Sequence, residues 1–223
     1  MKRILLSWSS GKDSAWTLHL LRQQAEYEAV GLLTTFNREM NRVAMHGVRR
    51  ELVEAQAEAV GVPLWGVDLP SPCSNADYES IMKETCKTAV QKGVAYIAFG
   101  DLFLPEIRQY RERQLQGSGL TPIFPVWGLP THELARSMIE SGVRAKLSCV
   151  DSNCLSPQFV GREFDQQLLS DLPSQIDPCG ENGEFHSFVY AGPMFRHDLS
   201  IEVGKIVNRD RFIFADLVFP HSE

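Results

Sequence analysis

Short apolar runs alternate with longer stretches of helical period through the first half of the chain. Residues 3–8, RILLSW, are almost uniformly apolar, and residues 14–25 follow with Ala15, Leu18, Leu21 and Ala25 spaced as on one face of a helix. EAVGLLTTF at 28–36 reads as a second strand. VRRELVEAQAEAVG at 48–61 reads as a helix stopped by Gly61, and PLWGVDL at 63–69 as a third strand. SNADYESIMKETCKTAVQKG at 74–93 opens on Ser, Asn and Asp, keeps helical period and closes on Gly. VAYIAFGD at 94–101 supplies a fourth strand, residues 104–116 another helix and LTPIFPV at 120–126 a fifth strand.

Apolar strands separated by helices fold as a parallel sheet covered on both faces. Ligands in such sheets bind beyond the carboxyl ends of the strands, where the strand order reverses. The turn at 8–13, which follows the first strand, therefore belongs at that edge, together with Thr34, Thr35, Gly100 and Asp101. The rhythm changes after Val126: a helix at 131–141, a strand at 144–151 and a helix at 161–172. A loop rich in Gly, Pro and acids follows, IDPCGENGEFHSF at 176–188, then strand-like runs at 197–203 and 211–219. A boundary between Val126 and Pro130 divides an N-terminal unit, 1–127, from a smaller C-terminal α+β unit, 128–223.

The net charge of −6 weighs against a nucleic-acid partner, because binding phosphate backbones needs a basic field. Five cysteines, an odd number without a CxxC pair, disfavour a disulfide scaffold or a zinc ribbon. Cys149 and Cys154 could share a metal with histidines, or be plain thiols of a reducing cytosol. No secretory signal pattern or membrane-spanning run is read, so a cytoplasmic protein is expected.

Candidate chemistry concentrates in SWSSGKDSAWTLHLL, residues 7–21. A strand–turn–helix unit aims backbone N–H groups and a helix N-terminus at whatever lies above it, which suits an anion. Ser9, Ser10 and Gly11 are small enough for close backbone approach, and Lys12 adds a full positive charge. The common phosphate loop GxxxxGK[ST] is excluded, because position 6 is Leu6 and Lys12 is followed by Asp13. Asp13 would repel phosphate unless it caps the helix or faces a magnesium ion. A tight turn whose Asp and Ser merely cap the helix accounts for the same residues.

SSGKDS at 9–14 resembles the SGGKDS signature of PP-loop ATP pyrophosphatases, with Ser10 where many of those proteins have Gly. The resemblance implies a HUP-type α/β fold with a five-stranded parallel sheet, and cleavage of ATP between its α and β phosphates. HGVRRELVEAQAEAVGVPL at 46–64, GDLFLPEIRQYRERQLQGSGLTPIFPVWG at 100–128 and GENGEFHSFVYAGPMF at 180–195 are similar to the diphthine–ammonia ligase-like group of these proteins. That group carries an acidic residue where this chain has His186. In this respect the chain resembles the shorter, bacterial-type branch, for which the acceptor is open.

The resemblance implies roles. Ser9, Ser10, Gly11 and Ser14 would donate to the phosphates, and Lys12, an exposed loop lysine with little packing, would offset charge as pyrophosphate leaves. Asp13 would cap the helix or position Mg²⁺ through water. Leu33 and Thr34 would meet the adenine through their backbone, and His46 would lie over the nucleotide. Gly100 and Asp101 would face the same cleft, with Asp101 a metal or ribose partner or a helix cap. Arg108 and Arg111 would reach the phosphates, or pair with Glu112 on a solvated face. Gly180, Glu181, Gly183, Glu184 and His186 would recognise the acceptor, with Glu184 orienting an ammonium or amine and His186 accepting its proton. Because both substrates must come within bonding reach, the second unit must lean over the carboxyl edge of the sheet.

The implied reaction is ATP-dependent amide formation through an acyl-adenylate, with ATP and Mg²⁺ as cofactors. Free ammonium, or an amine donor on a separate partner, supplies the nitrogen. A PP-loop tRNA-modifying enzyme and a non-catalytic adenine-nucleotide-binding module remain alternatives, and homo-oligomerisation is left open.

Overall fold

The computed structural model describes residues 1–44 and 46–220. The chain runs through β1 (Lys2–Ser7), α1 (Lys12–Gln24), β2 (Tyr27–Asn37), β3 (Arg42–Val43), α2 (Arg50–Val60) and β4 (Leu64–Leu69). It continues through α3 (Asn75–Gln91), β5 (Tyr96–Ala98), α4 (Pro105–Leu115), β6 (Thr121–Ile123) and α5 (Thr131–Glu140). The last part holds β7 (Arg144–Asp151), a short 3₁₀ turn, α6 (Gln166–Asp171), β8 (Phe185–Ala191), β9 (Glu202–Arg209) and β10 (Phe212–Val218).

Five strands pair in parallel in the order β4-β2-β1-β5-β6, and the short β3 pairs antiparallel to the end of β2. The order reverses at β1, so the turn leaving β1 opens at the switch point. The middle of β1, Ile4–Leu6, is apolar and buried because both of its faces are covered. Ile4 and Leu6 join the main core, whereas Leu5 packs with Leu33, Ile97, Phe99, Cys86 and Ala89 in a second core. The helix ends follow the expected chemistry. Ser74 and Asp77 form a capping box on α3, and Gly61 ends α2 in the left-handed conformation at φ 65°. No helix among the described residues is long and apolar enough to cross a membrane.

The remainder forms a four-stranded antiparallel sheet in the order β8-β7-β10-β9. Three sequence expectations are corrected here. The helix expected over 161–172 is only Gln166–Asp171, because its N-cap is Asp165, whose carboxylate accepts from Leu168 N at 2.7 Å. The residues before it run along β7, where Phe164 N donates to Ala145 O at 2.7 Å. The loop expected over 176–188 ends early, with Phe185 opening β8. The strand expected over 197–203 begins only at Glu202 and runs to Arg209. All eight residues of β9 are exposed, so no alternation marked it.

The two sheets share one core. Leu6, Trp8 and Phe36 belong to the same cluster as Leu134, Leu147 and Phe188. Polar contacts reinforce it: Arg22 donates to Met194 O at 2.7 Å, and Arg196 N donates to Ala59 O at 2.8 Å. Arg49 grips Asp216 of β10 through Nε at 2.9 Å and Nη2 at 2.8 Å, and Arg42 Nη1 lies 2.9 Å from the same carboxylate. Hydrogen bonding from Arg49, partly opposed by burial, holds the Asp216 carboxyl down at about 2. A depressed carboxyl stabilises the fold above its ordinary pKa and loses that contribution as pH falls through the folded value. Because the group is partly open to water, the contribution is on the order of 1 kcal/mol. Asp216→Asn should therefore lower unfolding free energy by about 1 kcal/mol at pH 7 in urea titrations. The gap to the parent should close between about pH 4 and pH 2.

Candidate active site

The turn after β1 is fastened on every side. Trp8 N donates to Leu33 O at 2.8 Å, and the Thr34 hydroxyl donates to Trp8 O at 2.8 Å. Ser10 sits at φ 73° and is fully buried, with its hydroxyl oxygen unpartnered. That left-handed conformation costs a non-glycine residue about 1 kcal/mol or more, which explains why glycine suits this position. It persists because the Ser10 carbonyl is held twice, by Val189 N at 3.0 Å and by Gln56 Nε2 at 3.0 Å. Gln56 is itself oriented by Trp8 Nε1 at 2.9 Å and also donates to Val189 O at 2.5 Å. Gly11 precedes α1, and a side chain there would meet Ser187 O at 3.1 Å. Ser9 and Ser14 hydroxyls lie 3.3 Å apart, and Ser14 donates to Gly11 O at 2.9 Å.

Lys12 departs from expectation. It is 2% exposed rather than an open loop lysine. Its ammonium donates to Asp13 Oδ2 at 3.0 Å and to the Cys179 carbonyl, over the rings of Phe164 and Phe185 at 5.4 Å each. Burial alone would favour the neutral amine, but Asp13 and the acidic surroundings raise its pKa, so it stays charged. The Lys12 amide donates to the Ser187 hydroxyl at 3.2 Å. Burial, partly offset by Lys12, raises the Asp13 carboxyl above its usual value, and Asp13 Oδ1 is buried without a partner.

Gly100 lies against the start of α1, where a Cβ would stand 3.0 Å from the Asp13 backbone. Asp101 accepts from Arg111 Nε at 3.4 Å, and burial raises its carboxyl. Arg111 lies 5.0 Å over Phe99 and lines the large cavity. Arg108 is engaged elsewhere, bonded to Glu112 at 2.9 Å and stacked near Phe124 and Trp127. Leu33 lines the cavity, whereas the Thr34 side chain is taken by Trp8.

The loop from the second sheet reaches this turn. Glu181 Oε1 accepts from Leu102 N at 2.7 Å, tying the loop to the end of the parallel sheet. Burial raises its carboxyl to about 7, helped by Asp13 and Asp101 and opposed by the Leu102 bond. Gly180 needs its φ of 71°, and a Cβ there would stand 2.7 Å from Phe185 O. Gly183, at φ 85°, turns in open space. Glu184 is 5% exposed, and its Oε1 accepts from Asp177 N and Asn182 Nδ2, both at 3.0 Å, while Oε2 has no partner. His186 stands on β8, not in the loop, with its ring centroid 4.3 Å from that of His46. Burial and Lys12 hold His186 at about 4, and burial, His186 and Lys12 hold His46 well below its ordinary value. Both imidazoles are therefore neutral at pH 7.

A cavity of about 690 Å³ opens beside Ser7, Trp8, Ser9 and His46 and extends between α3 and α4. Its volume suits a nucleotide-sized ligand. Tyr78, Met82 and Tyr110 line it and were not singled out from the sequence, because on their helices they read only as part of an amphipathic face. Gln56 did carry a signal, a lone amide among Leu52, Val53, Ala57 and Val60 on the buried face of α2. Among the described residues, no group of three or more His, Cys, Asp or Glu side chains is placed to hold a metal ion. Buried Cys149 pairs opposite His186 with its thiol pushed up to about 12, while Cys154 is exposed. The unpartnered Asp13 Oδ1 is the atom that would hold a magnesium ion, which would supply charge to offset phosphate oxygens.

Comparison with known proteins bears on both halves. Residues 1–122 match the diphthamide synthase N-terminal domain, and residues 130–216 match the diphthamide synthase C-terminal domain. Diphthine–ammonia ligases of Bos taurus and Homo sapiens are each 22% identical over 239 residues, covering 97% of this chain and 89% of theirs. That of Danio rerio is 23% identical over 232 residues, covering 95% of this chain and 91% of its own. Among solved structures, the U34-tRNA thiolase NcsA from Methanococcus maripaludis, with its [4Fe-4S] cluster, aligns at 18% identity and a TM-score of 0.38. That alignment covers 62% of this chain and 57% of the thiolase. Matched along both halves and in order, the chain belongs to the diphthamide synthase family, as a diphthine–ammonia ligase-like member of the PP-loop proteins.

Proposed function

We propose that this protein is an ATP-dependent amide ligase of the diphthine–ammonia ligase type, acting in the cytoplasm. In this reading residues 1–127 bind the nucleotide and residues 128–223 bind the acceptor. One observation carries it: the turn at 9–14 meets both the loop at 177–184 and the start of β8 directly. Lys12 donates to the Cys179 carbonyl, and the Ser187 hydroxyl accepts from the Lys12 amide at 3.2 Å. The names of the curated relatives support the same reaction class.

The chemistry follows from what a carboxylate lacks, a leaving group. Attack of an acceptor carboxylate on the α-phosphorus of ATP forms an acyl-adenylate and expels pyrophosphate. Ammonia or an amine then attacks the acyl carbon, and AMP leaves as the amide forms. Lys12 supplies a fixed positive charge beside the phosphates, and the amides at the start of α1 supply donors. A magnesium ion on Asp13 would offset phosphate charge. The unpartnered Oε2 of Glu184 is the loop's free acceptor for an ammonium or amine N–H. His186, neutral at pH 7, can accept a hydrogen bond from the attacking nitrogen through an unprotonated ring nitrogen.

With Mg²⁺, ATP, ammonium and trial carboxylic acids, the nucleotide product should be AMP, released with pyrophosphate. ADP and phosphate as the main products would sink the reading.

Lys12→Ala should lower AMP formation at least tenfold, about 1.4 kcal/mol of transition-state stabilisation. Because Lys12 is buried against Asp13, the variant should also lose about 3 kcal/mol of stability. Urea unfolding alongside turnover per folded molecule separates the two effects, and unchanged turnover would remove Lys12 from the machinery.

Glu181 carries a cost that its burial predicts. Its folded pKa is raised, so the folded state prefers the protonated carboxyl, and ionisation subtracts stability as pH rises from about 4.5 to 7. Glu181→Gln keeps an acceptor for Leu102 N without the charge. It should be more stable than the parent by about 1 kcal/mol at pH 8, discounted for partial exposure. Thermal unfolding should show that advantage shrinking toward pH 4.5.

A further inference from the structure

Gln56 is fully buried on α2, on the face that also carries Leu52, Val53, Ala57 and Val60. A buried amide must have its polar groups bonded merely to avoid a penalty, and an apolar side chain of similar size would serve the core as well. Gln56 directs all of its groups to one place. Trp8 Nε1 donates to its Oε1 at 2.9 Å. An indole N–H can only donate, so it fixes which way round the amide lies, and the Nε2 end faces two carbonyls. These are Ser10 O at 3.0 Å and Val189 O at 2.5 Å. Val189 N donates in turn to Ser10 O at 3.0 Å. Gln56 therefore spans a contact between Ser10 and Val189 that the two backbones alone hold by one hydrogen bond.

The residue held there resists its own conformation. Ser10 sits at φ 73°, which a residue with a Cβ disfavours and glycine does not. Its hydroxyl is buried without a partner, so the side chain makes no bond that would offset the strain. We propose that Gln56 is a positioning residue of the phosphate turn, the compensation that lets a serine keep a backbone shape suited to glycine. Without the bond from Gln56, Ser10 relaxes toward negative φ and the chain beyond it turns as well. Gly11 precedes α1 and Lys12 opens it, so the amides offered to phosphate then lose their common direction. With glycine at position 10 the strain is absent, and the bond from Val189 is enough to hold the turn. The effect on affinity rests on the nucleotide reading of residues 9–14, and the effect on shape on the hydrogen bonds alone.

Nuclear magnetic resonance on the whole isotope-labelled chain tests both effects, with a non-hydrolysable methylene analogue of ATP as the probe. In the free protein, Gln56→Met should shift the Gly11 and Lys12 amides, and should shift them far less in the Ser10→Gly background. Binding should follow the same pattern. Gln56→Met should weaken the analogue at least about tenfold with Ser10 in place, and less than about threefold in the Ser10→Gly background. Val53→Ala, which removes packing on the same face of α2 but no hydrogen bond, should change affinity per folded molecule less than about twofold. Should Gln56→Met not fold, Trp8→Phe carries the test: it frees the amide to turn over, and its loss of affinity should likewise shrink in the Ser10→Gly background. Equal losses in the two backgrounds overturn the inference and leave Gln56 a packing residue, as does a loss with Ser10 in place no larger than that of Val53→Ala. Failure of the nucleotide reading looks different. The analogue would then leave the parent's Gly11 amide unmoved, while the shifts in the free protein would still decide whether Gln56 shapes the turn.

Discussion

The carbonyl of Ser10 accepts one hydrogen bond from Val189 on the second sheet and one from Gln56 on the first unit's own helix. Everything at the candidate site depends on that double anchor. It holds Ser10 in a backbone conformation that a residue with a side chain resists, and so fixes where α1 begins. The direction of α1 then decides where the amides of Gly11 and Lys12 point. The same contact lets the turn cover the open edge of β8, an edge that would otherwise present unpaired backbone groups.

Charge at the junction follows from the packing. One buried ammonium, Lys12, faces Asp13 directly and lies within the field of Asp177, and Asp13 and Asp101 in turn press on Glu181. Two adjacent imidazoles, tilted by 40°, stand beside it, both neutral because burial and the nearby ammonium disfavour a further positive charge. The site therefore has a fixed cation and a fringe of acids that resist full ionisation. Such an arrangement is costly for folding and useful for handling phosphate, and perturbed groups of this kind concentrate where chemistry occurs.

Much of the fold was legible because its signals were local. The alternation of apolar runs with helical period specified the parallel sheet, and the Ser74–Asp77 and Gly61 ends were written in residue types. The turn at 9–14 stood out as candidate chemistry from its small residues and lysine. What could not be read were features set by distant partners. Lys12 reads as a solvent-facing loop residue until Cys179 and Phe164 close over it. His186 reads as a loop residue because the acidic stretch before it masks the start of β8. β9 gave no alternation because neither of its faces is buried. Tyr78 and Tyr110 face a cavity between helices, and only the spacing of those helices distinguishes such a position from ordinary core.

The anchor also has a consequence for how the protein is made. Val189 lies far downstream of Ser10 in the chain, and a contact that bridges so long a loop forms late, after the intervening segment has paid its closure entropy. During synthesis the first sheet can assemble while β8 is still unmade, but its turn then lacks the partner that holds Ser10 in place. A nascent chain would own the signature residues without the shape that gives them affinity. On the ligase reading, nucleotide capture is thus a property of the finished polypeptide, because an incomplete chain lacks the hydrogen bond that shapes the turn.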